Sequence, residues 1–113
     1  MTNYLTYKEL RLIVARQYAA FQLMDSSLLT MEGRVTREMW RRIAEAFYHA
    51  ACLDDALTNI SCIMDDMLEK ASLTFYNARQ IRAVVMGMRQ WVIANVSRDV
   101  WSQYPMIVNP DAA

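Results

Sequence analysis

His49 is the single histidine of the chain, so acid–base chemistry near neutral pH would have to start there. On a helical wheel it shares the polar face with Arg42 and with Glu45, one turn before it. The expected role is therefore a surface ion pair with Glu45. No Ser or Cys stands at a recognisable nucleophile–base spacing from it. Cys52 and Cys62 form neither a CxxC pair nor a Cys/His zinc set. They are expected as two buried free thiols in a reducing compartment. Asp54-Asp55 and Asp65-Asp66 suggest paired carboxylates, but adjacent helical residues point about 100° apart and do not converge on one ion or proton. There is no Glu-x-x-His motif for a di-iron bundle and no glycine-rich phosphate loop. The expectation is a non-enzyme with no metal and no cofactor.

One charged segment stands out, Arg34-Val-Thr-Arg-Glu-Met-Trp-Arg-Arg, running to Arg42. Arginines near a helix N-terminus oppose the dipole and suggest an anion-facing surface, but the expected reading is a solvated face. The acidic run from Asp54 to Glu69 is a candidate complement, within one chain or between two. Globally, 12 basic and 12 acidic residues cancel. That balance supplies no electrostatic drive toward nucleic acid, so direct nucleic-acid binding is not expected.

These side chains need elements to position them. Glycine and proline number two each, and Pro105 and Pro110 both fall near the end. Sheets need frequent turns, so the fold class expected is all-α, a four-helix bundle-like single domain of residues 1–113. Thr6 and Glu9 fit a capping box opening a first helix over about 7–24, with Leu10, Ile13, Val14, Phe21 and Met24 on its core face and Gln17 among them. Leu28 and Leu29 continue the packing, and Gly33 marks a loop. Thr36 caps a second helix over about 37–51, and a break near Cys52 precedes a third over about 55–71, though a continuous second and third helix is also compatible with the pattern. Leu53, Leu57, Ile60, Met64, Met67 and Ala71 give the third its apolar stripe. Ser72 or Thr74 caps a fourth helix over about 75–100, followed by an extended tail, 101–113, that Pro105 keeps non-helical. No apolar run reaches the roughly 20 residues of a membrane span. The start, MTNYLTYKELR, lacks the basic-then-apolar design of a secretory signal, so a cytoplasmic location is expected.

The apolar fraction, 55%, is high for one small domain to bury. The fourth helix concentrates the excess. Ile81, Val85, Met88 and Val92, flanked by Val84 and Trp91, make its main stripe. Met86, Ile93 and Val100 make a second beside Arg82 and Arg89, and Ala83, Gly87 and Ala94 leave a third side thin. A helix apolar almost all round lies centrally or faces a second copy. On the first helix, Leu12, Ala19 and Leu23 lie off the core stripe. These residues either touch neighbours within one monomer or serve outside contacts, and rare large apolar patches favour the second reading. The expected partner-binding set is Leu12, Leu23, Arg82, Met86, Arg89, Ile93 and Val100, with Trp101 and Tyr104 of the tail, since Tyr, Trp and Arg dominate protein interfaces.

The segment Leu53-Asp-Asp-Ala-Leu-Thr-Asn-Ile-Ser-Cys-Ile-Met, with the long helix Ala78 to Val96, resembles a helical hairpin of small pseudomonad proteins. In size and helical content the chain is similar to the quorum-sensing anti-activators of pseudomonads, the LasR anti-activator type. The resemblance covers about half the chain. It implies a homodimer that inhibits a transcriptional regulator by covering its dimerisation surface, and it transfers no site residue.

Three functions are thus expected in order. The first is a helical homodimer that binds and inhibits another protein. The second is a phage or mobile-element inhibitor of a host enzyme or defence complex. The third is a small helical enzyme with its active site at a dimer interface.

Overall fold

The chain begins its first helix where Thr6 can cap it. In the computed structural model, which describes residues 5–73 and 77–110, α1 spans Tyr7–Gln22. The Thr6 hydroxyl accepts from Glu9 N, and the Glu9 carboxylate accepts from Thr6 N, both at 3.3 Å. This is the capping box expected, satisfying donors the helix cannot satisfy itself. The helix buries Leu10 and Val14. Gln17, placed on that face by the wheel, is exposed, and Met24 beyond the helix end is 47% exposed. An Asp25 carboxylate accepting from Ser27 N (3.0 Å) and Ser27 Oγ (2.9 Å) shapes the corner after the helix.

After a 3-10 turn, Ser26–Leu28, α2 spans Met31–Tyr48. It starts earlier than expected because Thr30, not Thr36, is the N-cap: the Thr30 hydroxyl accepts from Gly33 N at 3.1 Å. Gly33 is therefore inside the first turn rather than in a loop, and the Thr36 hydroxyl donates to Glu32 O at 2.9 Å within the helix. The break near Cys52 is present. α3 comes next as Leu53–Leu73, with Asp54 and Asp55 in its first turn, where the dipole favours carboxylates. Ala56, Leu57, Ile60, Met64, Met67 and Ala71 are buried, close to the expected stripe.

α4 spans Ala78–Asn95, entered through Asn77 in the left-handed conformation (φ 65°), which Asn tolerates better than most residues. Its expected cap at Ser72 or Thr74 does not apply: Ser72 lies inside α3, and Thr74 is outside the described residues. Val84, Val85, Met88 and Val92 are buried. The helix stops short of the expected 100, and the chain turns at Val96 and Ser97 into α5, Arg98–Trp101. The tail is not extended. Pro105 opens a short α6, Pro105–Val108, at the first helical position, where a missing N–H costs nothing.

α2, α3 and α4 pack against one another, α1 lies mainly on α2, α5 on α4, and α6 on α3 and α4. The architecture is all-α, with no strand among the described residues. Rings link the layers. Tyr7 of α1 stacks on Phe47 of α2 at 5.9 Å, and Trp91 of α4 meets both Phe47 (6.0 Å) and Trp40 (5.7 Å) edge-on. Such offset and T-shaped pairs add about 0.5–1.5 kcal/mol beyond their buried area. Gly87 lets α2 come close, since a Cβ there would stand 2.7 Å from Met39 Sδ. No described helix is long and apolar enough to cross a membrane.

Candidate protein-binding surface

The residues with chemical potential are mostly occupied in holding the fold. His49 ends α2 as its C-cap, exposed, its ring edge-on to Tyr48 at 5.1 Å. The expected partner Glu45 instead faces Arg41 (3.6 Å) and Arg42 (3.8 Å). Both cysteines are free and exposed, contrary to the buried thiols expected. Cys52 precedes α3, and Cys62 lies on the α3 face away from Ile60 and Met64. Asp55 accepts from Ala51 N at 3.2 Å, and Asp66 pairs with Lys70 at 3.0 Å. Among the described residues no cluster of His, Cys, Asp and Glu could hold a metal ion.

The basic segment is neutralised largely along its own helix. Arg41 donates through Nε (3.0 Å) and Nη2 (2.8 Å) to both oxygens of Glu38, and Arg42 Nε lies 3.2 Å from the same carboxylate. The Arg41 hydrogen bonds hold the Glu38 carboxyl below its ordinary value against the opposing effect of burial. Arg34 and Arg37 have partners as well.

The expected partner-binding residues divide into two groups. Leu12 and Leu23 stand out from α1, 51% and 89% exposed, and Arg82 is exposed on α4. Of the remaining α4 residues, Arg89 is engaged by the tail. Arg89 donates to Ile107 O (2.7 Å) and Val108 O (3.0 Å), and Ile107 is fully buried. Ile93, Val100, Trp101 and Tyr104 are partly buried against the core, and Met86 is half-buried. Tyr104 donates to Asp54 O (3.1 Å) and Oδ1 (3.2 Å), and burial pushes its phenol above the ordinary value. The Arg89 part of the second stripe of α4 is thus covered from within, because Pro105 folds the tail back instead of extending it.

No family model, curated protein or solved structure matches the chain. The surface has to be read from its own chemistry.

Exposed apolar area gathers around α1 and the corner after it. Leu23, Met24, Leu28 and Met31 fall within one short stretch, and Leu28 is 82% exposed. Leu12, Ala19 and Leu23 line one side of α1, all exposed. Beside them an open groove of about 650 Å³ runs between α1 and α2. Val14 and Phe47, both buried, line it with the small side chains of Ala15, Ala19 and Ala44, and Tyr18, Tyr48, Arg11 and Arg41 also border it. Arg41 is offset by Glu38 and Glu45, whereas Arg11 is an exposed charge at the rim. Helical periodicity does not reveal this groove. The sequence signals near it are Leu12, Ala19 and Leu23, off the core stripe of the first helix, and the corner around Asp25-Ser26-Ser27, where periodicity assigns Met24 to the core and Leu28 and Leu29 to packing.

Proposed function

We propose that this chain is a helical inhibitor that binds another protein through the outer face of α1, the α1–α2 groove and the corner joining them. The observation carrying this reading is the set of exposed leucines and methionines between Leu12 and Met31, together with the open α1–α2 groove. Large exposed apolar patches are uncommon on monomers unless something covers them. Tyr18, Tyr48 and Arg11 supply residue types that anchor protein interfaces. The mechanism is steric: apolar burial on the partner competes with the partner's own assembly. Two exposed free thiols suit a reducing cytoplasm as the place of action.

The finer reading is an anti-activator that covers the dimerisation surface of a quorum-sensing transcriptional regulator. It rests on the resemblance of residues 53–64 and 78–96. Ala56, Leu57, Ile60 and Met64 of that stretch are core residues, so a shared activity would come through a shared bundle rather than those side chains.

The test is recovery of a stoichiometric protein from lysate with a tagged chain. Leu12→Asp with Leu23→Asp changes only exposed positions, so helicity is expected to persist while the partner is lost. Undiminished capture by that double variant would place the contact elsewhere.

A further inference from the structure

The junction between α4 and α5 contains no residue that demands a break. Asn95-Val96-Ser97-Arg98 has neither Gly nor Pro, and the Ser97 hydroxyl makes no capping bond. Even so, Val96 (φ −118°, ψ 140°) and Ser97 (φ −56°, ψ 139°) leave the helical region. Val96 N–H still reaches Val92 O at 2.8 Å, and bonding resumes when the amides of Val100 and Trp101 both donate to Ser97 O at 3.0 Å. Among the described residues, the amides of Ser97, Arg98 and Asp99 donate to no backbone carbonyl.

Locally the Asn95 side chain bonds back, Nδ2 donating to Trp91 O at 2.8 Å, while the chain beyond the break is held by several contacts. Tyr104 is tied to Asp54, Ile107 is buried, and Arg89 clips the last carbonyls of α6. These bonds hold residues 98–110 as a strap over the second stripe of α4. The stripe itself ignores the break. Arg82, Met86, Arg89, Ile93, Val96 and Val100 succeed one another in alternating steps of four and three, the spacing of a helix–helix seam.

We propose that the strap is releasable, that α4 and α5 then join into one helix, and that the uncovered seam pairs antiparallel with the seam of a second copy. Joining the helices would give the free amides of 97–99 the carbonyls of Ile93, Ala94 and Asn95, which partly offsets the lost strap contacts. Antiparallel pairing centred on Trp91 sets Arg82 opposite Val100, Met86 opposite Val96 and Arg89 opposite Ile93. No like charges then meet, and the arginine stems cover apolar neighbours. A parallel pairing would oppose each arginine with itself. The proposal rests on the fold alone and does not depend on the α1–α2 surface.

The test compares the full-length chain with Arg89→Gln, which removes the clip, and with Ser97→Ala, which leaves the strap contacts in place but favours helix at the junction. Amide exchange is read by NMR and mass by sedimentation. In both variants the amides of Ile107, Val108 and Asn109 are expected to exchange about tenfold faster, and those of Ser97, Arg98 and Asp99 about tenfold slower. Both variants should form dimers at roughly 100 µM, a state that addition of Ile93→Asp reverses. Faster exchange at both segments together would be ordinary fraying and would overturn the proposal, as would a monomer in both variants. If Arg89→Gln fails to fold, Ser97→Ala alone decides the matter.

Discussion

Glu38 accepts two hydrogen bonds from Arg41 and lies against Arg42, yet these side chains keep between about a quarter and two-fifths of their surface in water. Water contact screens the attraction, so the cluster is worth on the order of 0.5–1 kcal/mol rather than the several a buried network would give. Its sign with pH comes from the lowered Glu38 carboxyl. The ionised carboxylate is favoured in the fold, so its contribution is whole above the ordinary value of 4.5 and drains away as pH falls through the lowered folded value. Glu38→Gln should lower the urea midpoint at pH 7 slightly and flatten the acid limb as pH falls below 4.5. An acid limb as steep as the wild type's would show that other carboxylates carry it. The same water contact explains the cysteines. Residue type suggests burial, but a thiol at the start of α3 or on its outer side has nothing to pack against.

Helix α2 shows how an element's limits depend on a choice between two similar caps. Thr30 and Thr36 are both acceptable N-caps, and Gly33 between them looks like a loop residue. The structure uses Thr30, and Glu32 in the first turn suits the dipole there. Thr30→Ala should cost about 1 kcal/mol, while Thr36→Ala, whose hydroxyl only back-bonds within the helix, should stay within about 0.5 kcal/mol. Equal losses in denaturant titrations would mean the cap has been misplaced. Periodicity makes the stripe of α3 legible because burial there repeats over a long helix without a competing signal. It also shows α4 to be apolar almost all round, and α4 does lie centrally against α2 and α3. What periodicity cannot carry is the reversal of the tail. Pro105 reads as a helix breaker, but at the first position of α6 it starts one. The Arg89 clip joins residues far apart in sequence, which no local pattern encodes.

At the scale of the whole molecule the bundle is uneven. α2, α3 and α4 each pack on the other two of the three, and α6 closes over α3 and α4, whereas α1 is held mainly by α2. Only Leu10 and Val14 of α1 are buried, with Tyr7 adding its stacked ring and a hydroxyl bond to Ala50 O at 2.9 Å. The radius of gyration, 14.0 Å, is slightly above the roughly 13 Å expected for this length, as a helix laid on the outside requires. Elements with few buried contacts open first, and surfaces that bind are often drawn from that group. Native-state hydrogen exchange should therefore show the amides of α1 opening at a lower free energy than those of Ile60 and Met64 in α3. Their denaturant dependence should also be smaller, because less area is exposed when α1 alone detaches. Val14→Ala should weaken α1 selectively, lowering its opening free energy by about 1–3 kcal/mol while denaturant-independent opening of α3 stays the same. If α1 and α3 share one opening free energy and one denaturant slope, α1 is part of the same cooperative unit. A mobile first helix could then no longer be the reason the binding surface lies there.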